Sequence, residues 1–211
     1  ASQGEFLRIV IAPGDVEECF KATFNAFNLA EKFQLPVIVL TDKYLGESYT
    51  AHDGFDLNGL AIKRGMVPTH PELDKLSDYK RYAFSADGVS PRSLPGMKNG
   101  LHVSTSYEHN EYGFYEESPD AVAKMIDKRF LKLKAVQAAL DPPKLYGPQE
   151  ADLTLIGWGA SKGPILEAME MLEKDGIKVN FLHLAYIWPF PKEAVSQALK
   201  NLARELKIPV V

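Results

Sequence analysis

The 211-residue sequence predicts an α/β protein in which two parallel-sheet βαβ units are joined by a long irregular connector and a helix. Three observations carry this. "RIVIAPGDVEECFKATFNAFNLAEKFQLPVIVL" and "LTLIGWGASKGPILEAMEMLEKDGIKVNFLHL" each read as apolar run, amphipathic helix, apolar run, the pattern of two parallel strands and their crossover. Between them, Lys43 to about Glu117 is rich in Gly, Pro, Asp, His and Tyr and keeps no sustained period.

In the first unit, Ile9 to Ile11 forms a strand, Asp15 caps a helix with Glu18 three residues on, and Val37 to Leu40 resumes the apolar run. The helix is expected to bury Val16, Cys19, Phe20, Thr23, Phe24, Phe27, Ala30 and Phe33, and Leu35-Pro36 ends it. The connector then carries ten aromatics: Tyr44, Tyr49, Phe55, Tyr79, Tyr82, Phe84, Tyr107, Tyr112, Phe114 and Tyr115. So long a loop is unusual inside a compact domain, and its aromatics imply packing against a neighbouring domain or subunit. Ser118-Pro119 opens a helix over 118–140 with Val122, Met125, Ile126, Phe130, Leu133, Val136 and Leu140 inward. Its basic residues, Lys124, Lys128, Arg129, Lys132 and Lys134, are expected on a solvated face.

The second unit starts at Leu153, continues through a helix from about Lys162 to Asp175 capped by Gly176, and returns through Ile177 to Leu184. A further helix follows Pro191, with Ala194, Val195, Ala198, Leu199, Leu202, Ala203 and Leu206 on its buried face. "KIPVV" then reads as the start of another strand, so the chain is expected to be part of a longer protein.

Composition excludes several roles. A net charge of −4 gives no electrostatic reason to expect a nucleic-acid or membrane-surface partner. No apolar run reaches the roughly 20 residues of a membrane span, and "ASQGEFLR" lacks a signal-peptide pattern, which places the chain in the cytoplasm. Cys19 is the single cysteine, read as a small buried hydrophobe, so disulfides, zinc ribbons and iron–sulfur ligation by this chain are excluded.

Gly157, Gly159 and Gly163 mark a strand-to-helix corner with the spacing G-x-G-x-x-x-G. A dinucleotide site would place an acid at the end of the next strand, where the sequence is "VNFLHLAYIWPFP"; a Walker-type loop would need Gly-Lys-Ser/Thr, whereas Pro164 follows Gly163. The corner is therefore structural, its glycines relieving backbone strain.

The string "ADLTLIGWGASKGPILEAMEMLEKDGIKVNFLHLAYIWPFP" resembles the C-terminal domain of transketolase-like thiamine diphosphate enzymes. "APGDVEECFKATFNAFNLAEKFQLPVIVLTDKYL" resembles the last βαβ unit of the pyrimidine-binding domain in the alpha subunit of 2-oxoacid:ferredoxin oxidoreductases, and "RYAFSADGVSPRSLPG" and "EHNEYGF" are similar to the connecting segment of its 2-oxoglutarate branch. The resemblance implies three segments: 1–80, the C-terminal part of a pyrimidine-binding-like domain; 81–150, the connector with its long helix; and 151–211, a truncated transketolase C-terminal-like domain. It implies oxidative decarboxylation of a 2-oxoacid, most fittingly 2-oxoglutarate, with the acyl group passing to coenzyme A and electrons to ferredoxin. The implied cofactors are thiamine diphosphate, Mg and an iron–sulfur cluster, none held by this chain alone, and the implied assembly is a hetero-oligomer with a beta subunit. The family's activating Glu, its Thr-Pro-Ser/Thr run and its Gly-Gly-Pro-Ser-Thr-Gly segment would precede Ala1, so no catalytic residue is assigned.

Weaker candidates for substrate or interface contacts are Asp42 and Lys43, at the carboxyl edge of a predicted strand; Arg92 in "DGVSPR"; and Glu108 with His109. For Arg92 a structural ion pair is preferred, and for His109 and His102 a hydrogen-bonded structural role. His183 is read as a satisfied core histidine and Trp158 as packing or interface. Two rival functions stand beside the oxidoreductase subunit: a non-catalytic transketolase-like assembly module, and another thiamine enzyme such as a transketolase or a 2-oxoacid dehydrogenase component.

Overall fold

A computed structural model describes residues 6–205. The chain packs as two units that interleave along the sequence. One gathers Ala1–Leu7, Asn28–Pro36 and Ala61–Ala138; the other gathers Arg8–Phe27, Val37–Leu60 and Ala139–Val211. These groupings do not follow the segment boundaries at 80/81 and 150/151, because distant segments pair with each other.

In the second of these units, β1 (Ile9–Ile11) lies between β2 (Val37–Val39), parallel to it, and β6 (Tyr186–Trp188), antiparallel to it. A separate sheet places β5 (Val179–Leu184) between β4 (Leu153–Trp158), parallel, and β3 (Lys144–Tyr146), antiparallel. Both parallel pairs are the βαβ pairs expected, so the α/β class holds. The antiparallel members come from three-residue strands too short for a period to betray. Every residue of β5 is buried, as a central strand requires, whereas β2 at its sheet edge is partly open. Leu182, Leu184 and Val195 form one core cluster, with Leu145, Ile187 and Ala198 packed on it.

Helix α1 (Val16–Phe33) begins as the capping residues require: the Glu18 amide donates to Asp15 Oδ1 at 2.8 Å, and the Gly14 amide to Glu18 Oε2 at 2.7 Å. Its buried stripe is Ala22, Ala26, Leu29 and Phe33. Of the expected stripe, Phe33 is buried and Val16, Cys19, Phe20, Phe24 and Ala30 are partly buried, but Thr23 is exposed and Phe27 is 72% exposed: the buried line is shifted onto two alanines, which allow closer approach of the backbone than phenylalanines would. Cys19 is only half-buried.

The connector contains two single-turn helices, α2 (Lys43–Glu47) and α3 (His70–Asp74), the latter closed by a Thr69/Glu72 capping box. Elsewhere it is irregular, as the missing period implies. Helix α4 (Pro119–Ala139) follows at nearly the expected bounds, burying Met125 and Val136. It also buries Lys128 and Lys132, contrary to the solvated basic face read from the sequence, while Phe130 stays exposed.

After β4, the turn Gly159–Ser161 leads into α5 (Lys162–Lys174), and Gly176 follows at φ +78° as the helix stop. Gly159 sits at φ +60°. A Cβ on Gly157 would meet Ile165 Cδ1 at 2.9 Å, whereas one on Gly163 would meet open space. Two of the three corner glycines thus have a steric reason to be glycine. The last helix, α6 (Lys192–Glu205), buries Val195 but leaves Leu199 exposed, contrary to the expected face. "KIPVV" and Leu206 lie outside the described residues.

Candidate functional site

In the unit built on α4, the end of α1 and the "DGVSPR" turn enclose a cavity of about 270 Å³. The turn depends on Gly88 at φ +76°, where a Cβ would approach the Lys128 carbonyl oxygen to 2.3 Å. That close passage puts Ser90, 2% exposed, beside the helix. Ser90 Oγ donates to the Ala83 carbonyl at 2.7 Å and accepts from Lys128 Nζ at 2.7 Å. Lys128 Nζ also donates to the Tyr82 carbonyl at 2.7 Å.

Gln34, just past the end of α1, organises the other wall. It takes a left-handed backbone at φ +50°, a frequent helix stop. Its carbonyl accepts from Lys132 Nζ at 3.1 Å, its Oε1 accepts from Arg81 Nη1 at 2.9 Å, and its Nε2 donates to the Ser90 carbonyl at 2.5 Å. Arg81, Lys128 and Lys132 thus face the cavity on neutral oxygens, and no ion pair to them exists among the described residues. Burial and neighbouring cations push both lysines down to about 8.

Of the sequence candidates, His109 borders this cavity and Glu108 reaches it through Arg129. The "EHNEYGF" segment turns tightly because Asn110 Oδ1 accepts from the Tyr112 and Phe114 amides and Gly113 supplies φ +89°. This presents Glu108 and His109 on α4's side. Glu108 grips Arg129 Nη2 with both carboxylate oxygens at 2.5 Å. His109 lies on the Tyr82 ring at 3.9 Å between centroids, and its buried Nδ1 has no hydrogen-bond partner, contrary to the hydrogen-bonded role expected of it. His102 Nδ1 instead sits 3.1 Å from the Gly100 carbonyl oxygen. Arg92 is ion-paired with Glu31 of α1, and its amide donates to the Met66 carbonyl at 2.9 Å, so it ties the connector to the helix. Gln34, Lys128 and Lys132 carried no functional signal in the sequence. The "DGVS" turn opposite them was the available clue.

The other unit has its own polar centre. Lys162, 8% exposed, is clamped by Asp15 at 2.5 Å and by Glu18, and Gly14 leaves room for it: a Cβ there would meet Lys162 Cδ at 2.6 Å. Burial works against the ammonium, but its hydrogen bonds to Asp15 and Glu18 win and raise its pKa. Burial likewise opposes the Asp15 charge, and Lys162 outweighs it. His183 is buried between Tyr146 and Phe181, yet its Nε2 has no hydrogen-bond partner, so it is not the satisfied core histidine expected; burial keeps it below its ordinary pKa. Asp42 and Lys43 are exposed at α2, Asp42 as its N-cap and Lys43 Nζ 3.8 Å from Glu47.

No group of three His, Cys, Asp or Glu side chains among the described residues could hold a metal ion. With Cys19 the sole cysteine, the residues present do not fit a magnesium-bound diphosphate or an iron–sulfur cluster. No helix among them is long and apolar enough to cross a membrane.

The order of parts is that of two domain families found in thiamine-dependent oxidoreductases. Residues 2–128 match the thiamine diphosphate-binding domain of pyruvate flavodoxin/ferredoxin oxidoreductases, and residues 151–208 match pyruvate:ferredoxin oxidoreductase core domain II. The chain belongs to the 2-oxoacid:ferredoxin oxidoreductase alpha-subunit family. It is 37% identical to subunit alpha of 2-oxoacid:ferredoxin oxidoreductase 2 of Aeropyrum pernix, over 99% of this chain and 32% of that protein. It is 26% identical to the 2-oxoglutarate synthase subunit KorA of Methanothermobacter marburgensis, over 98% of this chain and 54% of that one. Among solved structures, a 2-oxoglutarate:ferredoxin oxidoreductase from Magnetococcus marinus, with 2-oxoglutarate, coenzyme A and succinyl-CoA bound, superposes with a TM-score of 0.80 at 33% identity, covering 92% of this chain and 33% of that one. The chain thus spans between a third and about half of the length of these relatives.

Proposed function

We propose that this chain is the alpha-subunit portion of a cytoplasmic, thiamine diphosphate-dependent oxidoreductase that decarboxylates 2-oxoglutarate, passes the acyl group to coenzyme A and sends the electrons to ferredoxin. The observation that carries the choice of substrate is the likeness to the Magnetococcus enzyme, held over 92% of the chain. Residues 1–80 and 151–211 act as parts of the pyrimidine-binding-like and transketolase C-terminal-like domains, with 81–150 connecting them. When bound, the thiamine group would supply a nucleophilic carbon for the keto group and an electron sink for the bond to the departing carboxylate. It, Mg and the iron–sulfur cluster are held by the beta subunit and by parts of the protein beyond these residues. What this chain contributes is scaffold and contact surface: eight of the connector's ten aromatics are exposed, including Tyr49 at 102% and Tyr107 at 87%, which suits a surface covered in a hetero-oligomer. No nucleic acid or membrane is a partner in this reading.

The test uses the full-length alpha subunit purified with its beta subunit, assayed for viologen reduction. Activity should require both coenzyme A and a 2-oxoacid, with kcat/KM for 2-oxoglutarate exceeding that for pyruvate by about tenfold or more, since a site built for a second carboxylate discriminates against a substrate lacking it. Equal use of pyruvate removes the 2-oxoglutarate assignment. Absence of any 2-oxoacid-dependent reduction leaves the non-catalytic assembly module standing. The 211-residue chain alone should neither reduce the dye nor bind thiamine diphosphate tighter than about 10 μM.

A further inference from the structure

An ammonium group taken out of water without a counter-charge is among the costliest arrangements a protein can hold. Lys128 and Lys132 are 7% and 8% exposed, stand one helical turn apart on α4, and share a cavity wall with Arg81. Among the described residues no carboxylate pairs with them: Glu108 is committed to Arg129 beside this wall, and Glu111 and Asp87 are near enough to act on the lysines but form no ion pair with them. Lys128 uses two of its three donors, on Tyr82 O and Ser90 Oγ, and Lys132 uses one, on Gln34 O. Three ammonium donors therefore remain unassigned beside a hollow of about 270 Å³. The buried His109 Nδ1, also without a partner, borders the same hollow. Hydrophobic packing explains none of this. Three cations converging on one space, with neutral contacts supplied by Gln34, Ser90 and Tyr82, form the arrangement that charge-assisted recognition of an anion requires.

We propose that this cavity is an anion-binding site, in which Arg81, Lys128 and Lys132 take the carboxylate or phosphate of a small molecule. Gln34 and Ser90 are positioning residues: they hold the cations in place before the anion arrives, so little reorganisation accompanies binding. The site lies within one packed unit, and neither it nor its test depends on the oxidoreductase reading.

The experiment uses the full-length protein that contains this chain, purified with its partners. Binding of inorganic phosphate and, separately, of succinate is measured by titration calorimetry at constant ionic strength, for the wild type, Lys132→Met, Lys128→Met and the surface control Lys134→Gln. Saturable binding of either probe at one per chain is expected. It should weaken about tenfold or more in each cavity variant and stay unchanged in the control. Preference between the two probes identifies the chemistry of the anion. Should the cavity variants not fold, amide exchange of residues 125–136 in the wild type is the readout, and saturating probe should slow it. Binding that survives both cavity variants overturns the proposal, as does the absence of any probe-dependent slowing. So does a structure of the assembly in which a carboxylate of the protein itself, from Glu5 or from another chain, lies within ion-pair distance of Lys128 or Lys132 Nζ.

Discussion

Raising the pH from 8 to 10 should stabilise the unit that holds α4, opposite to the usual loss of stability in alkali. Burial, the charges of Arg81 and Arg129 and, for Lys128, that of Lys132 bring both lysines from the ordinary 10.5 down to about 8, with Glu111 giving Lys128 and Asp87 giving Lys132 only partial relief. In the unfolded chain both return to about 10.4. Between about 8 and 10.5 the unfolded chain therefore binds more protons than the folded one, so the unfolding free energy rises with pH in that window and is level below it. A difference of about 2.5 units amounts to roughly 3 kcal/mol for one lysine carried to completion. Because loss of the first proton eases the neighbouring ammonium, the summed gain by pH 10 is about 3 kcal/mol. The gain levels off above about 10.5, where the lysines of the unfolded chain have lost their protons as well. Urea denaturation followed by circular dichroism at each pH reads the effect, and Lys132→Met should remove about half of the rise. A flat or falling profile, or an unchanged slope when both lysines are methionine, would refute the reasoning.

Gly88→Ala should cost about 2 to 4 kcal/mol, from the left-handed backbone and the collision with the Lys128 carbonyl, and its urea midpoint should fall accordingly. Gly159→Val, at φ +60° but with open space around its Cβ, should cost less, about 1 to 3 kcal/mol. In neither protein should NAD or NADP raise the melting temperature; a rise would revive a dinucleotide role for the corner. In the isolated chain, amides between Lys43 and Glu117 should exchange faster than those of Val16–Phe33 and slow when the beta subunit binds. Uniformly slow exchange in a verified monomer would show the connector to be self-sufficient.

Local rules were enough where the stabilising partners lie within a few residues. Asp15 and Glu18 cap α1, Gly176 stops α5, and Ser118-Pro119 opens α4, each as its chemistry requires. Periodicity failed on α1 because both faces are apolar, and the choice between an alanine stripe and a phenylalanine stripe is made by the packing across from it. It failed on α4 for the converse reason. Lysines at i and i+4 read as a solvated face, and only the passage of Tyr82 to Ser90 over them, some 40 residues away in sequence, encloses them. His183 was recognised as buried from its place in an apolar strand, but its missing partner depends on which side chains three other segments bring. Of the site residues chosen from sequence, His109 lies at the cavity because a tight turn puts it there, with Glu108 beside it on Arg129, while Asp42 and Lys43 remain on an open helix start.

The pairing of β1 with β6 sets a timetable for synthesis. Val10 meets Trp188, a partner 178 residues further along, and Asp15 waits for Lys162. At about 5 to 20 residues per second, a ribosome needs roughly 10 to 35 seconds to make that stretch, and throughout it one edge of the nascent strand has its amides unpaired. Strand edges left open in this way invite association with other chains. The unit containing α4 draws only on segments made before Ala139, so its chain is complete earlier. Nascent chains arrested after Ala139 should therefore leave β1 sensitive to protease, and protection of β1 before Trp188 has been made would contradict this sequence of events.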